Sequence, residues 1–182
     1  MEFKKTIELQ YDNLKATALC KAKTDVRFYL TGVYVGDGFI AATNGRMALL
    51  CNEPDSVGMD VIIPGDAIDS LIRKVGNKSK IKTTLLHQID DEFWCLNHGG
   101  NFEMFRLIEG KYPDIKRVDI LKPEDIQFKE FPRFNFEYLV IFQKIAKVFN
   151  RISPVIYPTT ENDRAFIEIT DDVHGILMPF RI

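Results

Sequence analysis

Residues Arg27–Leu50 read RFYLTGVYVGDGFIAATNGRMALL, and the period of this stretch decides the fold class. Phe28, Leu30, Gly32 and Tyr34 alternate with Tyr29, Thr31, Val33 and Val35, the two-residue repeat of a strand with two unlike faces. Asp37-Gly38 and Asn44-Gly45 are dipeptides that accept the positive φ of tight hairpin turns. The stretch therefore predicts three antiparallel strands near Val26–Val35, Phe39–Thr43 and Met47–Cys51. Such a meander supplies a core and, alone, no chemistry.

Working outward, Thr6–Gln10 reads as a strand. Asp12 or Asn13 can cap a helix running to about Ala22, with Leu14, Ala18 and Leu19 turned inward. Asp60–Ile63 is a short strand, and Pro64 with Asp66 opens a second helix carrying an apolar stripe of Ile68, Leu71, Ile72 and Val75, stopped by Gly76-Asn77. Strands recur near Ile81–Leu86, Glu92–Leu96 and Phe102–Ile108, with residues 97–101 as a hairpin loop. Charge and proline then mark a connecting segment. A third helix from about Phe136 to Ile152 buries Leu139, Phe142, Ile145, Ala146 and Phe149, and strands return near Val155–Tyr157, Ala165–Ile169 and Gly175–Phe180. The order strand, helix, three strands is thus written three times, an internal repeat of an α+β unit.

The chain has 182 residues, 46% hydrophobic and 27% charged, the balance of a globular protein with a sizeable core. No apolar run approaches the roughly 18 residues of a membrane span, and MEFKKTIELQ lacks the apolar stretch of a secretion signal. The expectation is a cytoplasmic protein with no membrane partner. Cys20, Cys51 and Cys95 are odd in number and sit in apolar surroundings, as buried thiols do. A net charge of −2 excludes a protein that grips nucleic acid by overall charge, but permits one with a single basic face.

Three stretches, taken in chain order, carry a family resemblance. VRFYLTGVYV with ATNGRMAL resembles the RYxLNGV and ATDGHRLA pattern of the bacterial DNA polymerase III beta subunit, the sliding clamp. Glu109–Val118, EGKYPDIKRV, resembles that family's DGRFPDYRRV, and Met178–Ile182, MPFRI, resembles its closing MPMRL. ATNGRMAL is one residue shorter than its counterpart, so Arg46 matches either the family's His or its Arg. His174-Gly175 stands where the family has bulkier residues, and Asp119–Arg133 matches nothing in it.

The resemblance implies a DNA-clamp fold with helices lining the inside of a ring and sheets outside. Residues 1–118 would be a whole clamp domain like the family's middle domain, 119–133 a linker, and 134–182 the second half of its last domain. The chain would be a shortened homologue. An unpaired third unit would seek its counterpart in a second chain, giving a homo-oligomer. The implied partners are double-stranded DNA and a DNA polymerase or other proteins bearing clamp-binding motifs, with no cofactor and no metal.

Two sets of residues would carry these contacts. Lys144, Lys147 and Arg151 share one face of the third helix, Arg73, Lys74 and Lys78 close the second, and Lys15, Lys21 and Lys23 lie on or after the first. Under the resemblance they face DNA phosphates; by composition alone they are a solvated helix surface. Asp66, Asp69 and Glu137 dilute their field. The family's peptide pocket carries over to Leu30, Thr43, Gly45, Arg46, Met47, Pro113, Arg117, Val118, Ile176, Met178, Pro179 and Phe180. An apolar, Met-containing hollow suits the Leu and Phe anchors of short linear motifs; the plainer reading of Ile176, Met178 and Phe180 is one face of a last strand.

Catalysis finds no motif. No phosphate-binding G-x-x-x-x-G-K-[ST] is present, His87, His98 and His174 lack metal-ligand spacing, and Asp90-Asp91-Glu92 sits at a turn. The readings left open are a non-catalytic processivity factor, a clamp homologue that closes no ring and competes for clamp-binding partners, and a remnant whose fold persists.

Overall fold

The computed structural model describes residues 3–76, 79–124 and 130–180. Asp37 and Gly38 both take positive φ (53° and 85°), and Gly45 takes 83°, so both turns form where the dipeptides stand. They join β2 (Gly32–Gly36), β3 (Phe39–Thr43) and β4 (Met47–Asn52) into the expected meander. The strand expected from Val26 begins only at Gly32, because Phe28–Thr31 closes into a 3₁₀ turn in which the Leu30 amide donates to Arg27 O.

The first unit opens with β1 (Lys5–Gln10) and α1 (Tyr11–Ala18). α1 is shorter than expected and is capped by the Gln10 backbone rather than by Asp12 or Asn13. Asn13 is buried instead, donating to Glu53 and to Asn52 O, and Leu19 lies just past the helix, exposed. The second unit is β5 (Asp60–Pro64), α2 (Gly65–Val75), β6 (Thr83–Gln88), β7 (Phe93–His98) and β8 (Asn101–Arg106). Gly76 ends α2 with φ 73°. Gly99 and Gly100 alone turn the β7–β8 hairpin, so the loop is tighter than the five residues expected. The third unit is α3 (Phe136–Val148), which stops a turn before Ile152, followed by β9 (Val155–Pro158), β10 (Ala165–Thr170) and β11 (Val173–Leu177). Among the described residues no strand lies between β8 and α3, so the third unit lacks the leading strand that the expected repeat gives it.

Strand order gives the rule of assembly. The first two units exchange their leading strands: β1 joins the second meander as β1-β6-β7-β8, and β5 joins the first as β5-β2-β3-β4. The third meander then adds to the far edge of β4, producing β5-β2-β3-β4-β11-β10-β9, seven strands in one sheet. The joint is antiparallel and regular, from Met47 opposite Leu177 to Cys51 opposite Val173. All three helices pack against a common core, in which Leu14, Ile68, Leu71, Phe142 and Ile145 are fully buried. On the opposite face of the seven-stranded sheet a second cluster forms around Leu30, Ala48, Leu50, Tyr112, Ile115, Phe166 and Ile176.

Gly175 shows how the joint depends on a missing side chain. A Cβ there would lie 2.2 Å from the Phe142 ring and 3.1 Å from Ala48 O, so α3 can sit down on β11 only over glycine. The Gly at this position, anomalous against the clamp pattern, is thus matched by an aromatic ring on the facing helix. Gly175→Val is expected to destabilise the fold by about 1–3 kcal/mol through overpacking, read by urea denaturation; an unchanged midpoint would show that α3 is free to move away.

Glu53 is 2% exposed and accepts from the Gln10 amide and from Asn13 Nδ2, tying β1 and α1 to the end of β4. Burial pushes its carboxyl up, against the pull of those hydrogen bonds. A folded-state pKa above the unfolded one means the native state holds the proton longer. Its contribution to stability therefore falls as pH rises through the window between the two values. Glu53→Gln should flatten the stability profile there, and an identical slope in both proteins would contradict this.

Candidate peptide groove and nucleic-acid face

The β4–β11 joint brings the carboxy-terminal segment beside the β3–β4 turn. Thr43 Oγ1 donates to Met47 O at 2.7 Å and accepts from the Gly45 amide at 3.0 Å, while Asn44 Oδ1 accepts from the amides of Arg46 and Met47. These local hydrogen bonds set the shape of the turn. Met178 extends β11 by donating its amide to Arg46 O at 3.0 Å. Residues 112–119 then cross the joint as a strap. The Tyr112 hydroxyl accepts from the Thr43 amide at 3.1 Å, Arg164 Nη1 donates to Arg117 O at 3.0 Å, and Asp119 Oδ1 lies 2.7 Å from His174 Nε2, whose ring stacks on Phe166. Ile115 seals the strap by burial.

Between turn, strap and β11 lies a cleft of about 320 Å³. Leu30 and Thr43 form its floor with Met47, Ile176 and Ala48, Pro113, Ile115 and Val118 form one wall, and Gly45, Arg46 and Met178 form the other. Nine of the twelve residues carried over from the clamp pattern meet here: Leu30, Thr43, Gly45, Arg46, Met47, Pro113, Val118, Ile176 and Met178. The lining is chiefly aliphatic and sulfur-bearing. Such a surface recognises apolar side chains, while the turn's backbone supplies polar contacts at the rim.

Three residues depart from this set. Arg117 turns away to Asp114, with Nε 3.0 Å from Oδ2, and is exposed. Pro179 and Phe180 lie in an adjoining hollow of about 510 Å³, shared by Gly45, Arg46, Met178, Asn135 and Tyr138. The reason is that the chain leaves β11 at Leu177 and the Phe180 amide turns to Arg133 O, not to a neighbouring strand. The strand expected to run to Phe180 thus ends three residues earlier. Gly45, Arg46 and Met178 divide one elongated groove into two compartments.

Residues that sequence reasoning missed complete the groove. Asn135 caps α3 by accepting from the Glu137 amide, and Tyr138 follows one turn in; the Asn-Phe-Glu helix start was the available signal. Arg27 also borders the cleft, its guanidinium 3.0 Å from the point where a Cβ on Gly45 would stand. Arg27 donates to both oxygens of Asp25 and holds that carboxyl down to about 2. Gly45 is consequently required twice, by its φ and by this neighbour.

The cations separate into two groups. Lys144 and Lys147 are exposed on α3, whereas Arg151, expected on the same helix face, is exposed in the segment past the end of the helix at Val148; none of the three makes an ion pair with any described residue. Those of the first two units are largely neutralised. Lys21 is side-chain 14% exposed and donates to both oxygens of Asp69 and to Ala18 O, its stem filling the space above Gly65. Its ammonium is thus engaged within the protein, where the expected nucleic-acid face would have it free. Lys15 pairs with Asp12 at 3.2 Å and lies over the Tyr11 ring, and Lys74 pairs with Glu103. Lys23 and Arg73 are exposed, and Lys78 lies outside the described residues. α1 contributes little surface at all, six of its eight residues being buried. Among the described residues no His/Cys/Asp/Glu group could hold a metal, and no helix is long and apolar enough to cross a membrane.

Comparison with known structures places this geometry. The DNA polymerase sliding clamp of Pseudomonas aeruginosa superposes with a TM-score of 0.73 over the whole of this chain and 68% of its own, at 16% identity. The fold is that of the DNA sliding clamps. The clamp of Bacillus subtilis matches at 0.70 and 15% identity over 66% of its length, and the DNA polymerase III beta subunit of Borrelia burgdorferi at 0.73 and 14% over 64%. No protein-family model and no curated protein sequence matches the chain. Against these clamp structures this chain spans about two thirds of the length.

Tyr112 is the structural pin of the groove. Burial raises its hydroxyl above the usual phenol range, so it stays protonated through the neutral range. Tyr112→Phe should cost about 1 kcal/mol and accelerate hydrogen exchange at the Thr43 amide; unaltered exchange there would mean that the strap does not hold the turn.

Proposed function

We propose that this protein is a clamp-like processivity factor that tethers a DNA polymerase, or other replication and repair proteins, to duplex DNA through the groove beside its carboxy-terminal strand, with no catalysis of its own. The observation that carries this reading is the meeting of residues from Leu30, the 43–47 turn, the 113–118 strap and the 176–178 tail in one apolar cleft. A linear motif would seat its Leu or Phe anchor among Leu30, Ile176 and Met178, with Met178 repacking around different partners. Residues 1–118 act as a full clamp domain and 134–182 as a half domain, joined by 119–133. The half domain pairs with a second copy, and a ring of twelve units, as in the clamp family, would take four chains of three.

Lys144, Lys147 and Arg151 support weak phosphate contact of the kind that permits sliding. Each phosphate neutralised contributes about −0.9 to the slope of log K against log salt. A reversal of all three charges should abolish polymerase stimulation on circular templates, and full stimulation would remove these residues from the DNA face. A fluorescent peptide with a clamp-binding motif should bind, and Met178→Ala or Leu30→Ala should weaken it at least tenfold. Unchanged affinity would refute the groove.

The neutralised lysines favour a second reading. With Lys15, Lys21 and Lys74 tied to Asp12, Asp69 and Glu103, the first two units keep, among the described cations expected to face DNA, Lys23 and Arg73 as the unpaired ones. A homologue that binds clamp partners without encircling DNA would need none. Retention on circular but not linearised DNA decides for the ring; loss from both decides for the non-encircling form.

A further inference from the structure

We propose that Ser79 is a nucleophile with a built-in base, His98, and that it accepts an acyl group from an activated ester or thioester. The site joins the segment between α2 and β6 to the end of β7, and it needs neither the peptide groove nor DNA contact.

Ser79 Oγ stands 2.7 Å from His98 Nε2, and Thr84 Oγ1 stands 2.9 Å from Nδ1 of the same ring. With the ring proton on Nδ1 and donated to Thr84, Nε2 is left to accept the proton of Ser79. A serine hydroxyl on an imidazole that a third group orients is the arrangement of an activated nucleophile. Burial and stacking fix the ring, since His98 is 1% exposed and Tyr11 lies on it with centroids 4.0 Å apart. The serine is positioned as well: its Oγ accepts from the Ile81 amide at 3.2 Å, and the residue is half-buried, within reach of a small reagent. His87 supplies the contrast. It meets Thr6 Oγ1 at 2.8 Å but makes no second ring hydrogen bond with a described residue, so nothing orients it as Thr84 orients His98. The hydroxyl of Tyr11 is buried without a hydrogen-bond partner, so the cluster around His98 is short of one acceptor.

Burial is the main reason that the His98 imidazole lies below its ordinary range; Lys15 on α1 adds to this, while a hydrogen bond to the Thr83 backbone and the charge of Asp12 on α1 oppose it. The ring is therefore neutral, and a base, at neutral pH. In the reaction Ser79 Oγ bonds to the carbonyl carbon and its proton passes to Nε2. The bond from that carbon to the leaving alkoxide or thiolate then breaks, and the leaving group takes the proton back from Nε2. An acyl donor fits better than a phosphoryl donor, because phosphoryl transfer needs charge neutralised at the donor. The chain has no G-x-x-x-x-G-K-[ST] loop and, among the described residues, no group able to hold a metal. Once attached, the acyl group covers the buried imidazole from water, so the ester persists and the serine reacts once. This is modification, not turnover.

The full chain treated with p-nitrophenyl acetate tests this, with nitrophenolate release and intact mass as readouts. The wild type should give a burst of one equivalent and a single acetyl group, which peptide mass spectrometry locates on Ser79. Ser79→Ala should give neither, and His98→Asn should slow the burst by about 10²-fold. The burst rate should stay level from neutral pH to below the ordinary imidazole range, then fall as His98 takes up a proton. A chain whose Ser79 stays unmodified, a burst that survives Ser79→Ala, or one that keeps its rate in His98→Asn would overturn the proposal. If His98→Asn loses its native circular dichroism, the pH profile decides in its place, and a rate that climbs steadily through the neutral range would contradict a base already deprotonated there.

Discussion

Five antiparallel residue pairs between β4 and β11 hold this molecule in its form. They join segments more than a hundred residues apart, and the loop-closure entropy of such a contact has to be offset by burial on both faces of the sheet. One face receives Phe142 over Gly175, together with the rest of the helix-side core. The other receives Ile176, Phe166 and Ala48 under the strap pinned by Tyr112 and Asp119. Without the joint there is no floor to the groove, since Met178 and Ile176 would no longer lie beside Leu30 and Thr43.

Much of this was legible in the residues. The meander, the amphipathic stripe of α2 and the positive-φ turns follow from period and glycine chemistry, which act locally. The groove residues were legible only through resemblance, because nothing in Leu30, Pro113 or Ile176 taken singly distinguishes a cleft lining from a core. What could not be read is what tertiary contacts decide. α1 ends early where Lys21 turns onto Gly65 and Asp69, the strand from Val26 starts late where Leu30 closes a 3₁₀ turn, and Glu53 is a buried anchor disguised as a surface acid.

The same contacts show why counting charges along a helix does not give the charge left unpaired. A lysine spaced for exposure can be neutralised by an acid far away in sequence, as Lys21 is by Asp69 and Lys74 by Glu103. Lys144 and Lys147 on α3, like Arg73 on α2, have no acid paired to them and keep their charge available. The groove is divided within one chain, the third unit supplying Ile176 and Met178 and the first two supplying the facing turn and strap.

The central claim is that the β4–β11 joint builds a surface for an apolar peptide anchor. Methyl-labelled methionine resonances test it most directly, because Met47 and Met178 lie in the groove while Met59 is in the core and Met104 on the far sheet. On titration with a clamp-binding peptide, the account predicts saturable shifts at Met47 and Met178 with Met59 and Met104 unmoved. Shifts confined to Met104, or none at any methionine, would contradict it.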